Sequence, residues 1–146
     1  MSPSPVCSRQ LPPELEACVH DLFREHAQTQ PFAEAVSAHD AVLTYGELDQ
    51  ASERVALLLR QNRVIKEVPV GLYFQKSAWA IVAMLGVMKA AGTCVNLSPA
   101  YPDERIRTIL ATCDAKIVLS KTLQNGTFGQ TGVKTFLINN ETMSEF

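Results

Sequence analysis

The sequence predicts a layered α/β fold, a mainly parallel sheet with flanking helices, on three observations. Val68–Phe74 (VPVGLYF) is a continuous apolar run of strand length, the pattern of a strand covered on both faces. Ala78–Ala91 is a helix-length run in which Lys89 is the only charge and Gly86 the only interruption. Such a run is too short for a bilayer, which needs roughly 20 apolar residues, and a helix apolar on nearly all faces must be buried inside protein. Two further extended runs, Thr93–Leu97 and Ala115–Ser120, are separated by an amphipathic stretch from Asp103 to Thr112. Strand–helix–strand repetition calls for right-handed crossovers and parallel pairing.

The other elements follow from local signals. Residues 1–13 are polar and proline-bearing and are expected to be a flexible lead-in. From Glu14 to Gln28 the residues Leu15, Cys18, Val19, Leu22 and Phe23 recur at helical spacing, and Pro31 ends that helix. Ala33–Ser37 and Ala41–Leu43, around the turn-like His39-Asp40, form a short hairpin. Thr44 as N-cap places Glu47 at the third helical position, a capping box, with Leu43 and Leu48 as a hydrophobic staple. Behind it Leu48, Ala51, Val55, Leu58 and Leu59 make one apolar stripe, with Asp49, Glu53, Arg54 and Arg60 outside. Ser77 caps the buried helix and Gly92 is expected to end it in a left-handed conformation. Pro102 suits the first position of the next helix, followed by Asp103 and Glu104, which the helix dipole favours there. Ile106, Ile109 and Leu110 face inward, and Val133–Ile138 is the fourth strand.

A length of 146 residues and 47% hydrophobic content describe one domain with a real core. The net charge of −2 gives no electrostatic case for nucleic acid or an anionic membrane. Cys7, Cys18, Cys94 and Cys113 form neither a CxxC pair nor a metal spacing. The first residues lack the pattern of a signal peptide, so reduced thiols and a cytoplasmic location are expected. The sequons at Asn125 and Asn140 then carry no meaning. His20 and His26 are six residues apart and read as surface histidines, not metal ligands. The glycine-bearing stretch Asn125–Thr135 reads as a surface turn. It has neither the spacing of a P-loop nor that of a dinucleotide loop.

Met88-Lys89-Ala90-Ala91-Gly92-Thr93-Cys94-Val95-Asn96-Leu97-Ser98-Pro99, then Tyr101-Pro102 and Glu104-Arg105, resembles the second core motif of nonribosomal peptide synthetase adenylation domains. These belong to the acyl-adenylate-forming ligases. The usual form is roughly L-K-A-G-x-A-Y-V-P-L-D-P, then Y-P-x-E-R. Upstream, Leu43-Thr44-Tyr45-Gly46-Glu47-Leu48 matches the first core motif, L-T-Y-x-E-L, and Val19-His20-Asp21-Leu22-Phe23 resembles the helix that opens many of these domains. Among the departures from the usual form, Ala91 stands for glycine, Cys94 for tyrosine, Asn96 for proline and Ser98 for aspartate.

The resemblance implies that residues 14–146 are the N-terminal part of an adenylation domain, an incomplete version of its first subdomain. The family joins an amino acid to ATP as an aminoacyl-adenylate with magnesium, then passes it to phosphopantetheine on a carrier domain. Its phosphate loop, metal ligand, substrate pocket and catalytic lysine all come later than this chain reaches. No residue here is therefore carried over as catalytic, cofactor-binding or metal-binding, and the chain alone is expected to be inactive. Two other readings are a free-standing docking module and a fragment of an acyl-coenzyme A ligase. Unpaired strand edges and the apolar faces of the Ala78–Ala91 helix lead to an expectation of self-association or a molten state.

Overall fold

The structure, a computed structural model, describes residues 19–121, 132–139 and 142. The lead-in and the first turn of the expected Glu14–Gln28 helix lie outside the described residues. The chain order is α1 (Val19–Thr29), β1 (Glu34–Ser37), β2 (Val42–Thr44), α2 (Tyr45–Gln61), β3 (Pro69–Tyr73), α3 (Ala78–Lys89), β4 (Thr93–Leu97), α4 (Asp103–Cys113), β5 (Ile117–Ser120) and β6 (Lys134–Leu137). β1 and β2 form the antiparallel hairpin. The other four strands form one sheet in the order β4-β3-β5-β6, every pair parallel.

The continuous apolar runs are explained by cover on both faces. Val70 and Leu72 of β3 and Ile117 and Leu119 of β5 pack with α2 and α3 in one cluster, through Val55, Leu59, Val82 and Val87. Val118 packs on the opposite face with Leu97 and with Ile106 and Leu110 of α4. The α2–α3 seam is close enough that a Cβ on Gly86 would stand 2.3 Å from Val55 Cγ1 and 2.5 Å from Val55 Cβ. Here the glycine is required by the approach of another helix rather than by backbone angle. α3 itself is covered by α2 and the sheet, and Ile81 is its one exposed large apolar residue.

The end of α3 differs from the expected one. The left-handed residue is Ala91, at φ 65°, not Gly92. The Gly92 N–H bonds to the Val87 carbonyl and the Ala91 N–H to that of Met88, each at 3.0 Å, which is a Schellman ending. Gly92 is small for another reason: a Cβ there would meet the Val68 carbonyl oxygen and Val64 Cγ1, both at 3.1 Å. α2 and α4 end in the same way, with Arg63 at φ 66° and Asp114 at φ 56°. A left-handed alanine is disfavoured by roughly 1 kcal/mol relative to glycine. Ala91→Gly is therefore expected to raise stability by up to about 1 kcal/mol, measurable as a higher urea midpoint at unchanged slope.

Three other local expectations are corrected. Only half of the capping box forms: the Thr44 hydroxyl accepts the Glu47 N–H at 3.2 Å, while the exposed Glu47 carboxylate makes no return bond among the described hydrogen bonds. The first turn of α2 is tied elsewhere, the Tyr45 and Gly46 N–H groups donating to the Ala33 and Pro31 carbonyls at 2.9 Å. Pro102 is the cap of α4, one position before the helix. Its missing N–H costs nothing there. On α1, Leu22 is exposed while Phe23 packs on the core. Leu43 and Leu48, the staple pair, are both buried in the main cluster.

Candidate functional site

β3 feeds α3 and then β4 on one side of itself, after which the chain returns to place β5 on its other side. Strand order thus reverses beside β3, and open α/β sheets hold their ligand crevices at the carboxyl ends of the strands at such a point. A cleft of about 490 Å³ lies there. The segment after β3 contributes Phe74, Gln75, Lys76 and Ser77 to its wall, the end of β5 contributes Ser120 and Lys121, and the remaining lining includes His39 and Pro99.

Asp40, in the hairpin turn, organises this end of the sheet. Its Oδ1 accepts the Ala78 N–H at the start of α3 at 3.1 Å, and its Oδ2 accepts from Lys121 Nζ at 3.1 Å. Ser77 Oγ accepts the Ala80 N–H at 3.2 Å, so a carboxylate from a distant turn and a local cap share the helix terminus. Burial pushes the Asp40 carboxyl up, but the Ala78 N–H and the Lys121 ammonium outweigh it and hold the group below its ordinary value of 3.8. A depressed carboxylate contributes stability that is full above its unfolded pKa and lost as pH falls through the folded one. Acid titration should therefore loosen the hairpin–α3–β5 junction below about pH 4. Asp40→Asn should be less stable at neutral pH and show a shallower loss on acidification, as read by unfolding curves between pH 3 and 7.

At the far end of α3 lies a second charged group. The Lys89 side chain is 0% exposed, with Nζ 2.6 Å from Asp49 Oδ1 and 3.3 Å from Glu53 Oε1. It also donates to the Asp49 carbonyl at 3.2 Å and lies 5.7 Å from the centre of the Phe23 ring. Glu53 is bridged in turn by Arg24 at 2.7 Å. Burial pushes the Glu53 carboxyl up, while Lys89 and then Arg24 pull it below its ordinary value. Asp49 and Glu53, expected on the outer face of α2, instead face α3. This cluster joins α1, α2 and α3 and does not reach the cleft.

The remaining sequence candidates scatter. Lys134, the lysine of the glycine-bearing stretch, opens β6 at the amino end of the sheet, opposite the cleft, and donates to Asn62 Oδ1 at 3.2 Å; residues 122–131 lie outside the described residues. His26 is exposed and stacks on Tyr45. The side chain of His20, and Cys7 and Cys18, lie outside the described residues. Cys94 and Cys113 are free and sit on opposite faces of the sheet, and burial raises the Cys94 thiol. Among the described residues no group of three His, Cys, Asp or Glu converges, and both oxygens of Asp40 are already committed. No helix among the described residues is long and apolar enough to cross a membrane.

The strand order and the cleft at its reversal point define an open parallel α/β unit of the kind that carries ligands at its strand ends. The chain belongs to the AMP-binding enzyme family, whose model matches residues 23–144. It is 42% identical over 115 residues to nonribosomal peptide synthetase fmqA of Aspergillus fumigatus, which is 79% of this chain and 3% of that protein. It is 46% identical over 110 residues to peramine synthetase A of Epichloe festucae, 75% of this chain and 4% of that one. The nonribosomal peptide synthetase FmoA3, solved with α-methyl-L-serine-AMP, superposes at a TM-score of 0.78 with 28% identity, over 83% of this chain and 14% of its own. The N-terminal subdomain of Klebsiella oxytoca NpsA shares the fold at a TM-score of 0.72 and 23% identity, over 87% of this chain and 32% of its own. The chain thus matches the N-terminal portion of an adenylation domain, and spans only 3–4% of the length of these two synthetases.

Proposed function

We propose that this chain is the opening framework of an amino-acid-adenylating, AMP-forming ligase domain and does not activate amino acids by itself. The observation that carries the reading is high identity to peptide synthetases combined with a sequence that holds no phosphate loop. Adenylate formation needs groups that stabilise charge on the phosphates, each worth orders of magnitude in rate. In the complete domain ATP, magnesium, an amino acid and a carrier's phosphopantetheine would meet on residues beyond those present here, in the cytoplasm. The test is ATP–pyrophosphate exchange with the purified chain, all twenty amino acids and magnesium. No exchange above a no-enzyme control is expected, and clear exchange would overturn the reading.

A second reading, a free-standing docking module, is favoured by one observation. α3, expected to expose apolar faces, is covered within this chain, so the molten state loses its main support. Self-association is retained in both readings, through strand edges. An in-frame S-G-T-T-G-like loop in the coding sequence past Phe146 would decide for the first.

A further inference from the structure

Among the described residues the outer edge of β4 is open, and it has a definite hydrogen-bonding pattern. The Thr93 N–H donates to the Val68 carbonyl at 2.8 Å, towards β3, and β3 is the only strand beside β4 among the described residues. Along a strand in a parallel pair, alternate residues turn both backbone groups to the same neighbour. Thr93, Val95 and Leu97 therefore face β3, while the N–H and C=O groups of Cys94 and Asn96 face outward. Those two residues are placed symmetrically about Val95.

Edge strands are normally blunted by charge, proline or a bulge. β4 has none of these. Its five residues, Thr93–Leu97, are uncharged and pair with β3 in unbroken register. Asn96 supplies an N–H where the motif it resembles has proline, a residue suited to an outward edge position because it lacks that donor. The opposite outer strand, β6, begins with Lys134, one of the charges that discourage pairing.

We infer that β4 is the seam at which two copies of this chain join, antiparallel about a twofold axis midway between Val95 and its symmetry mate. This deepens the self-association proposed above by naming its surface. Cys94 of each copy then lies opposite Asn96 of the other, and these pairs exchange both hydrogen bonds, which satisfies every outward backbone group between them. The two four-stranded sheets become one.

The test is the mass in solution of the full chain, by sedimentation equilibrium, for the parent, Asn96→Pro and Asn96→Ala. The parent and Asn96→Ala, which keeps the N–H, are expected at twice the chain mass, and Asn96→Pro at the chain mass with cooperative unfolding retained. If Asn96→Pro does not fold, Val95→Cys decides, in a chain whose four native cysteines are serine. Val95 and its symmetry mate form a non-hydrogen-bonded pair about 4.5 Å apart at Cα, within disulfide reach, so mild oxidation should link the two copies. A monomeric parent would overturn both the seam and the association. Association unaffected by Asn96→Pro, or no crosslink at Val95→Cys in an associated chain, would overturn the seam alone.

Discussion

Replacing Gly86 with alanine is expected to lower stability by about 2 kcal/mol. The sign is not obvious, since alanine in a helix interior gains about 1 kcal/mol over glycine. Contact distance decides it. The new Cβ would stand 2.5 Å from Val55 Cβ and 2.3 Å from Val55 Cγ1, and a Cβ is fixed to its backbone, so α2 and α3 must move apart. Both line the main cluster, where Val55, Ala83 and Val87 are fully buried, and parting them loses contacts along the seam. The measurement is urea unfolding at fixed protein concentration. Val55→Ala removes Cγ1 but keeps the Cβ at 2.5 Å, so in the Gly86→Ala background it should leave the clash in place and recover little of the loss.

Asp49→Ala is expected to cost about 2–3 kcal/mol at pH 7. It leaves the Lys89 ammonium, 0% exposed, with Glu53 at 3.3 Å and one backbone carbonyl. The loss falls below that of a fully isolated buried charge because Glu53 remains. Lys89→Met should cost less than about 1 kcal/mol. It removes the buried charge and fills its space, while Asp49 and Glu53 keep enough exposure, 29% and 41%, to be hydrated. Unfolding curves for the two variants therefore separate the cost of burying the lysine from the cost of stranding it. Equal losses would contradict this account.

The sheet was legible because its signals are local. A strand buried on both faces is a run such as VPVGLYF, and a helix buried on most faces is a run such as Ala78–Lys89. The same locality set the limits. Glycine at a helix end is a good sign of left-handed backbone, yet the structure uses Ala91 for the angle and Gly92 for the space beside Val64 and Val68. Asp49 and Glu53 look like an outer face because periodicity knows the helix but not its neighbour, and the lone lysine of α3 was the clue that a partner had to supply acid. The cleft was the least legible feature. Asp40 acts on Ala78 and Lys121, residues 38 and 81 positions away, and nothing in a His-Asp turn announces either. The family likeness was readable from two motifs because both are structural stretches: one starts α2, the other runs from α3 through β4 to α4.

One consequence of the strand order concerns synthesis. β3 is the first strand of the sheet to leave the ribosome, yet it sits between β4 and β5, both made after it. Until β4 emerges, VPVGLYF has no strand beside it on either edge. Until β5 and α4 follow, part of it stays bare. Pro69 breaks the run near its start, but the uncharged Val70–Phe74 behind it leaves apolar surface and unpaired strand edges exposed while it waits, the condition under which nascent chains pair wrongly. The strand that ends up among the most protected in the folded chain is thus the one that stays longest without cover in the nascent one.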